Sequence, residues 1–171
     1  EGEGEGEGEG EEEAPPFGVT GAWDFDRGDL TATVGDDLRF RGSTDASTVF
    51  GSTDELGLPG MDGRVAQVMG FPATSPDMGY VMPHGASPDG GRVHRFTVIF
   101  DVLFPEASHG VWRALLQTDP DNADDGDFFI NPGNGIGIGG NYPGRIEPDR
   151  WHRVVAVVDL TLDDGQMRKF V

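Results

Sequence analysis

At 171 residues and 18.3 kDa, the chain has the length of one domain and is large enough to bury a core. Its 31 acids against 12 bases give a formal charge of −19, and taking away the eight glutamates of the first thirteen residues still leaves −11, which argues against binding to nucleic-acid phosphates or an anionic membrane surface. Zero cysteines exclude disulfides, thiolate metal sites and Cys nucleophiles, and no run approaches the roughly 18 apolar residues that would insert in a bilayer.

In chain order, residues 1–16 come first, alternating Glu and Gly and ending in Ala14-Pro15-Pro16. Such a segment has nothing to bury and repels itself, so an extended acidic linker is expected, tethering the chain to other domains of the same protein. The chain holds 28 glycines and 12 prolines, and from residue 17 onward they punctuate short apolar runs, the pattern of many strands and little helix. Strands are expected over 22–25, 38–41, 65–71 and 79–82, then 96–104, where Phe96, Val98, Phe100, Val102 and Phe104 share one face at period two. Further strands follow over 111–118, 127–131 and 135–139. Residues 151–160 are rich in β-branched side chains and are bounded by Pro148-Asp149 and Asp163-Asp164-Gly165, which predicts a hairpin into 167–171. The sum is an all-β fold, an antiparallel β-sandwich or jelly roll.

Three strings point further: Trp151-His152-Arg153-Val154-Val155-Ala156-Val157-Val158-Asp159; Phe96-Thr97-Val98; and Leu115-Leu116-Gln117-Thr118 followed by an acidic loop and Asp127-Phe128-Phe129. Together they resemble the laminin-G-like, concanavalin-A-like jelly-roll family. Trp23-Asp24-Phe25-Asp26 with Gly28-Asp29-Leu30 is similar to its bacterial members. The resemblance spans residues 17–171 and implies a jelly-roll domain whose last strands lie beyond Val171. It also implies an extracellular or cell-surface setting, and often one calcium at the rim of the sandwich. These are signatures of structure rather than of catalysis.

The loop 119–127 offers the hard oxygen ligands that calcium favours, and the candidate metal ligands are Asp119, Asp121, Asn122, Asp124 and Asp125. It is not an EF-hand, since counting from Asp121 puts Ala123 at the third position and Pro132 at the twelfth. A solvated inter-strand loop is the competing reading. Asp24, Asp26 and Asp29 form a second acidic group, which also reads as a strand end meeting a turn. Gly135, Gly137 and Gly140 match a dinucleotide fingerprint in spacing alone. No helix can open there before Pro143, so a Gly-rich strand packed under another backbone is expected.

Glu147 is the nearest approach to a glycosidase acid, but Pro148 places it in a turn, and Trp151 and His152 stand where related glucanases carry a further acid. The four histidines, His84, His94, His109 and His152, are scattered over separate segments. Arg27-Gly28-Asp29 reads as a structural turn, and the Gly-Ser-Thr-Asp repeated at 42–45 and 51–54 reads as turn chemistry used twice.

The function expected is a non-catalytic carbohydrate-binding or adhesion module, with a hydrolase or a structural spacer as the alternatives. Tyr80, Trp112 and Tyr142 are the available aromatic platforms, with His84 in the Met82-Pro83-His84-Gly85 loop as a polar neighbour. Trp112 can equally belong to the core of its strand. If the 119–127 loop holds calcium, the cation at a hundredfold excess over its Kd stabilises the fold by about 2.7 kcal/mol. Thermal melts with and without calcium should show that shift, and changing Asp121 and Asp124 together to Ala should abolish it.

Overall fold

The computed structural model describes residues 18–75, 77–86, 93–119, 128–161 and the backbone of 166–170. The acidic segment 1–16 and the candidate ligands Asp121, Asn122, Asp124 and Asp125 lie outside the described residues. Among the described residues ten strands occur in chain order: β1 (Arg39–Arg41), β2 (Val49–Ser52), β3 (Gln67–Gly70), β4 (Gly79–Val81), β5 (Arg95–Leu103), β6 (Arg113–Leu116), β7 (Phe128–Ile130), β8 (Ile136–Gly137), β9 (Trp151–Asp159) and β10 (Gln166–Phe170). The helical segments among the described residues are two 3₁₀ turns, Thr44–Ser47 and Glu106–Ser108. The fold is all-β. Every strand pairing is antiparallel, in sheets ordered β10-β9-β5, β6-β7-β8, β2-β3 and β1-β4.

The β5–β9 ladder is the longest, running from Arg95 opposite Asp159 to Leu103 opposite Trp151. Period two divides its side chains cleanly. Phe100 faces Val154 and Val98 faces Ala156, and Val154 and Ala156 are fully buried. On the opposite face Asp101 holds Arg153 through two parallel bonds of 2.8 and 2.7 Å, and Asp159 pairs with Arg95 at 3.3 Å. Both pairs are solvent-exposed and each contributes under about 1 kcal/mol. Their greater effect is on register, because a one-residue slip would break both and turn Val154 and Ala156 out of the core.

The inner face of this ladder meets β6-β7-β8. Phe128 and Ile130 of β7, Ile136 of β8 and Ile146 from the following loop are fully buried in one cluster with Val154 and Ala156. Between Ala114 and Leu116 the β6–β7 register shifts by one residue, so Leu115 is a bulge. Through it two successive leucines, Leu115 and Leu116, pack against the core where a regular strand would expose one. The β9–β10 hairpin expected from the sequence is present.

Two expectations need correction. Residues 22–25 form only a single bridge, Ala22 to Val34, because local turn bonds win over the ladder. Asp24 accepts the Asp26 amide, Gly28 donates to the Phe25 carbonyl, and Phe25 has φ +62°. Conversely, β2 was not foreseen. It falls on the second Gly-Ser-Thr-Asp, whose Gly51 and Ser52 pair with Val68 and Gln67. The repeat also does more than make turns, since Thr44 and Thr53 are both fully buried cross-links. Thr44 accepts the Gly79 amide at 2.8 Å and Thr53 accepts the Ala66 amide at 3.3 Å.

Truncation at the shared core should be far more damaging than on the outer face. Ile130→Ala is expected to cost about 2–5 kcal/mol by urea unfolding, while Ile99→Ala, at a residue that is 59% exposed, should cost under about 1 kcal/mol. Similar losses at both positions would mean that the β5–β9 face is not the one that is covered.

Candidate functional site

Across β6–β7, Ala114 stands opposite Phe129, and Phe128 and Ile130 point into the core, so Phe129 projects outward. Trp112 lies two residues before Ala114 and shares that outer face. Its ring meets Phe129 edge-on at 6.1 Å, with 87° between the ring planes. Tyr142 reaches the same face from beyond the β8 edge of the sheet. After β8 the chain reverses at Gly139 and Gly140, both at positive φ (+55° and +86°), and the bridge Ile138 to Asn141 closes the turn.

The returning strand segment then passes directly over Gly135. A Cβ at residue 135 would lie 2.6 Å from the Tyr142 carbonyl oxygen and 3.0 Å from the Tyr142 Cβ, so only glycine admits this approach. It sets the Tyr142 ring 5.5 Å from Trp112, with planes at 68°. Trp112 remains 57% exposed. Edge-to-face pairs of this kind add about 0.5–1.5 kcal/mol beyond buried area, enough to hold the rings in place without hiding them.

Two asparagines brace the β7–β8 connection beside Tyr142. Asn131 accepts the Gly135 amide through Oδ1 at 2.9 Å, while its own N–H donates to the Gly135 carbonyl at 2.8 Å. Asn134 accepts from Arg113 Nη2 at 2.7 Å. Arg113 itself pairs with Ile130 and therefore takes the inner face, where its guanidinium lies 5.0 Å over the Phe104 ring. Desolvation lowers its pKa from the ordinary value. Its Nε and Nη1, like His109 Nε2, are buried without a hydrogen-bond partner among the described residues.

The other sequence candidates are placed elsewhere. Tyr80 meets Phe40 at a tilt at 5.9 Å and Phe71 edge-on at 5.2 Å, and its hydroxyl is shared with Thr48 at 2.6 Å, so it serves the packing of β1-β4. Burial raises its pKa, against the opposing Thr48 bond. His84 is exposed, accepts the Ala86 amide through Nδ1 at 3.0 Å within its own loop, and its carbonyl accepts the Thr20 hydroxyl from the N-terminal segment, a structural tie. Neither touches the Trp112 rings.

Glu147 ion-pairs with Arg145 at 2.9 Å on the surface, and its amide donates to His152 Nε2 at 3.0 Å. Residues 148–150 form a turn in which Asp149 has φ +52°. Gly135 lies just before β8 under the Tyr142 main chain, Gly137 ends β8 and Gly140 sits in the tight turn after it, in line with a glycine packed under another backbone. His94 contributes its carbonyl to the Leu160 amide.

Of the metal candidates, Asp119 is described and half-buried. Asp24 accepts from the Thr33 hydroxyl and the Asp26 amide, and Asp29 accepts the Thr31 amide at 2.8 Å. These bonds lower both pKa values, which is the chemistry of carboxylates bracing turns. Among the described residues no three His, Asp or Glu side chains converge on one point. Arg27, Gly28 and Asp29 form an exposed turn with Gly28 at φ +70°.

The sequence offered Trp112 and Tyr142 as separate possibilities. It gave no sign that they touch, and it missed Phe129 as their third member and Gly135 as the residue that seats Tyr142. The double-glycine turn after an alternating run was the one available signal. Comparison with family models, curated proteins and solved structures returns no match for this chain.

Gly135→Ala should push the Tyr142 segment away and cost about 1–3 kcal/mol, read as a lowered urea midpoint together with a changed near-UV circular dichroism band from the Trp112 environment. An unchanged spectrum would mean that Gly135 does not position Tyr142.

Proposed function

We propose that this chain is a non-catalytic carbohydrate-binding module, folded as an antiparallel β-sandwich of the concanavalin-A-like jelly-roll type and carried by a larger secreted or cell-surface protein. The observation that carries the reading is the apposition of Trp112 and Tyr142 on the outside of β6-β7-β8, with Trp112 more than half exposed. A pyranose presents an apolar face of C–H groups and a rim of hydroxyls. An exposed indole covers the first, and a side-chain amide such as that of Asn131, beside Tyr142, suits the second. The sandwich architecture is supported by the single core that β5-β9 and β6-β7-β8 share. In this reading calcium, if bound at 119–127, is structural.

The binding is weak by its own arithmetic. A hexose has about 12 non-hydrogen atoms, and at roughly 0.3 kcal/mol per atom it gains about 4 kcal/mol, a Kd on the order of 1 mM per sugar. Hydrolysis is not part of the reading, because Glu147 is engaged by Arg145 and sits at the entrance to a turn rather than within a strand.

A polysaccharide pull-down with the 171-residue chain is the test. Retention is expected without reducing-sugar release, and Trp112→Ala and Tyr142→Ala should each weaken it about tenfold or more while the chain stays folded, as judged by an unchanged far-UV circular dichroism spectrum. Sugar release that is lost on Glu147→Gln would replace this reading with a hydrolase. No retention on any polysaccharide would replace it with a spacer.

A further inference from the structure

The geometry points to a ligand class for this site: an uncharged, non-crystalline glycan, bound as a twisted chain or a chain end rather than as a flat polysaccharide surface. The inference rests on the carbohydrate-binding reading above and goes on to say which carbohydrate fits. Two independent features of the same patch carry it.

The first is the angle between the rings. A flat crystalline face needs aromatic rings that lie in one plane, so that each can stack on a sugar of the same surface. Here Tyr142 is tilted 68° from Trp112, and Phe129 is tilted 87° from Trp112. If one ring of either pair lies flat on a planar surface, its partner stands nearly on edge to it. The rings instead form a corner, which accepts the face of one sugar on one ring and the side of the same or the next sugar on the other. That fits a chain whose successive residues turn, or a terminal residue with two free sides.

The second is charge. In a chain a quarter of whose residues are charged, the stretch from Phe128 to Gly144 carries no Asp, Glu, Lys, Arg or His. It contributes Phe129 and Tyr142 to the corner, with the Asn131 amide beside Gly135 under Tyr142. The next charge along the chain, Arg145, is neutralised by Glu147 at 2.9 Å, and Arg113 takes the inner face of the sheet. Nothing in this stretch would pair with a uronate or sulfate group, and the net charge of −19 repels a polyanion from the whole molecule. Amides and aromatic rings match hydroxyls and C–H faces, the chemistry of a neutral sugar.

Affinity electrophoresis of the full chain in gels containing a soluble neutral β-glucan, a galactomannan or the polyuronate alginate, together with depletion by microcrystalline cellulose, tests this. Retardation is expected in at least one neutral gel, unchanged between about 0.05 and 0.5 M NaCl. Alginate and cellulose should have no effect. Trp112→Ala should weaken the retardation about tenfold or more, and Trp112→Phe should restore most of it.

Retention by alginate that salt reverses, or depletion by cellulose, would overturn the ligand class if it depended on Trp112, and would leave the binding module standing. Retardation in a neutral gel that is indifferent to Trp112→Ala would overturn the site. An absence of interaction with all four materials would overturn the carbohydrate reading itself.

Discussion

The nine-residue ladder between β5 and β9 is the constraint on which the rest of the described structure depends. It presents Val98, Phe100, Val154 and Ala156 as one apolar surface, and the small sheet β6-β7-β8 has a buried side only because that surface exists. β6 has four residues, β7 three and β8 two, too few to hold a sheet on hydrogen bonds alone. Phe128, Ile130 and Ile136 anchor it to the longer ladder through side-chain burial. Only then does an outer face exist on which Trp112, Phe129 and Tyr142 can be displayed, so the exposed rings are mechanically coupled to the core beneath them.

A second constraint is the close approach of main chain to main chain at Gly135. A short sheet can carry a reversal over its surface only where a side chain is missing, and the glycines at 135, 139 and 140 supply the gap and the left-handed turn together. The Asn131 bonds to Gly135 in both directions fix the lower strand while Tyr142 crosses above it. A segment that resembles a phosphate-binding loop in its spacing is thus occupied in presenting an aromatic ring.

Charge is distributed to match. The carboxylates of Asp24, Asp29, Glu55, Asp77 and Asp159 each accept bonds from nearby hydroxyls or amides, which lowers their pKa values. Depressed carboxylates stabilise the fold above their ordinary values of 3.8 to 4.5 and lose that contribution as pH falls through the folded pKa, so the acidity of the chain supports its turns at neutral pH. Their exposure keeps each contribution small.

The sequence by itself determined the all-β class and most strand positions, because period two at Phe96 to Phe104 and the β-branched run at Val154 to Val158 are properties of adjacent residues. It also marked Trp112 and Tyr142 as aromatics in a turn-rich region. What it could not hold were outcomes of competition: the Asp24 and Phe25 turn prevailing over a strand, and β2 forming from Val49 and Phe50 only because β3 lies beside them. The fate of each aromatic was likewise a tertiary matter. Tyr80 was drawn into packing by Phe40, Phe71 and the Thr48 hydroxyl, while Trp112 stayed outside because Arg113 and the bulge at Leu115 took the inner positions. Alternation tells which residues share a face, but only the second sheet decides which face is covered.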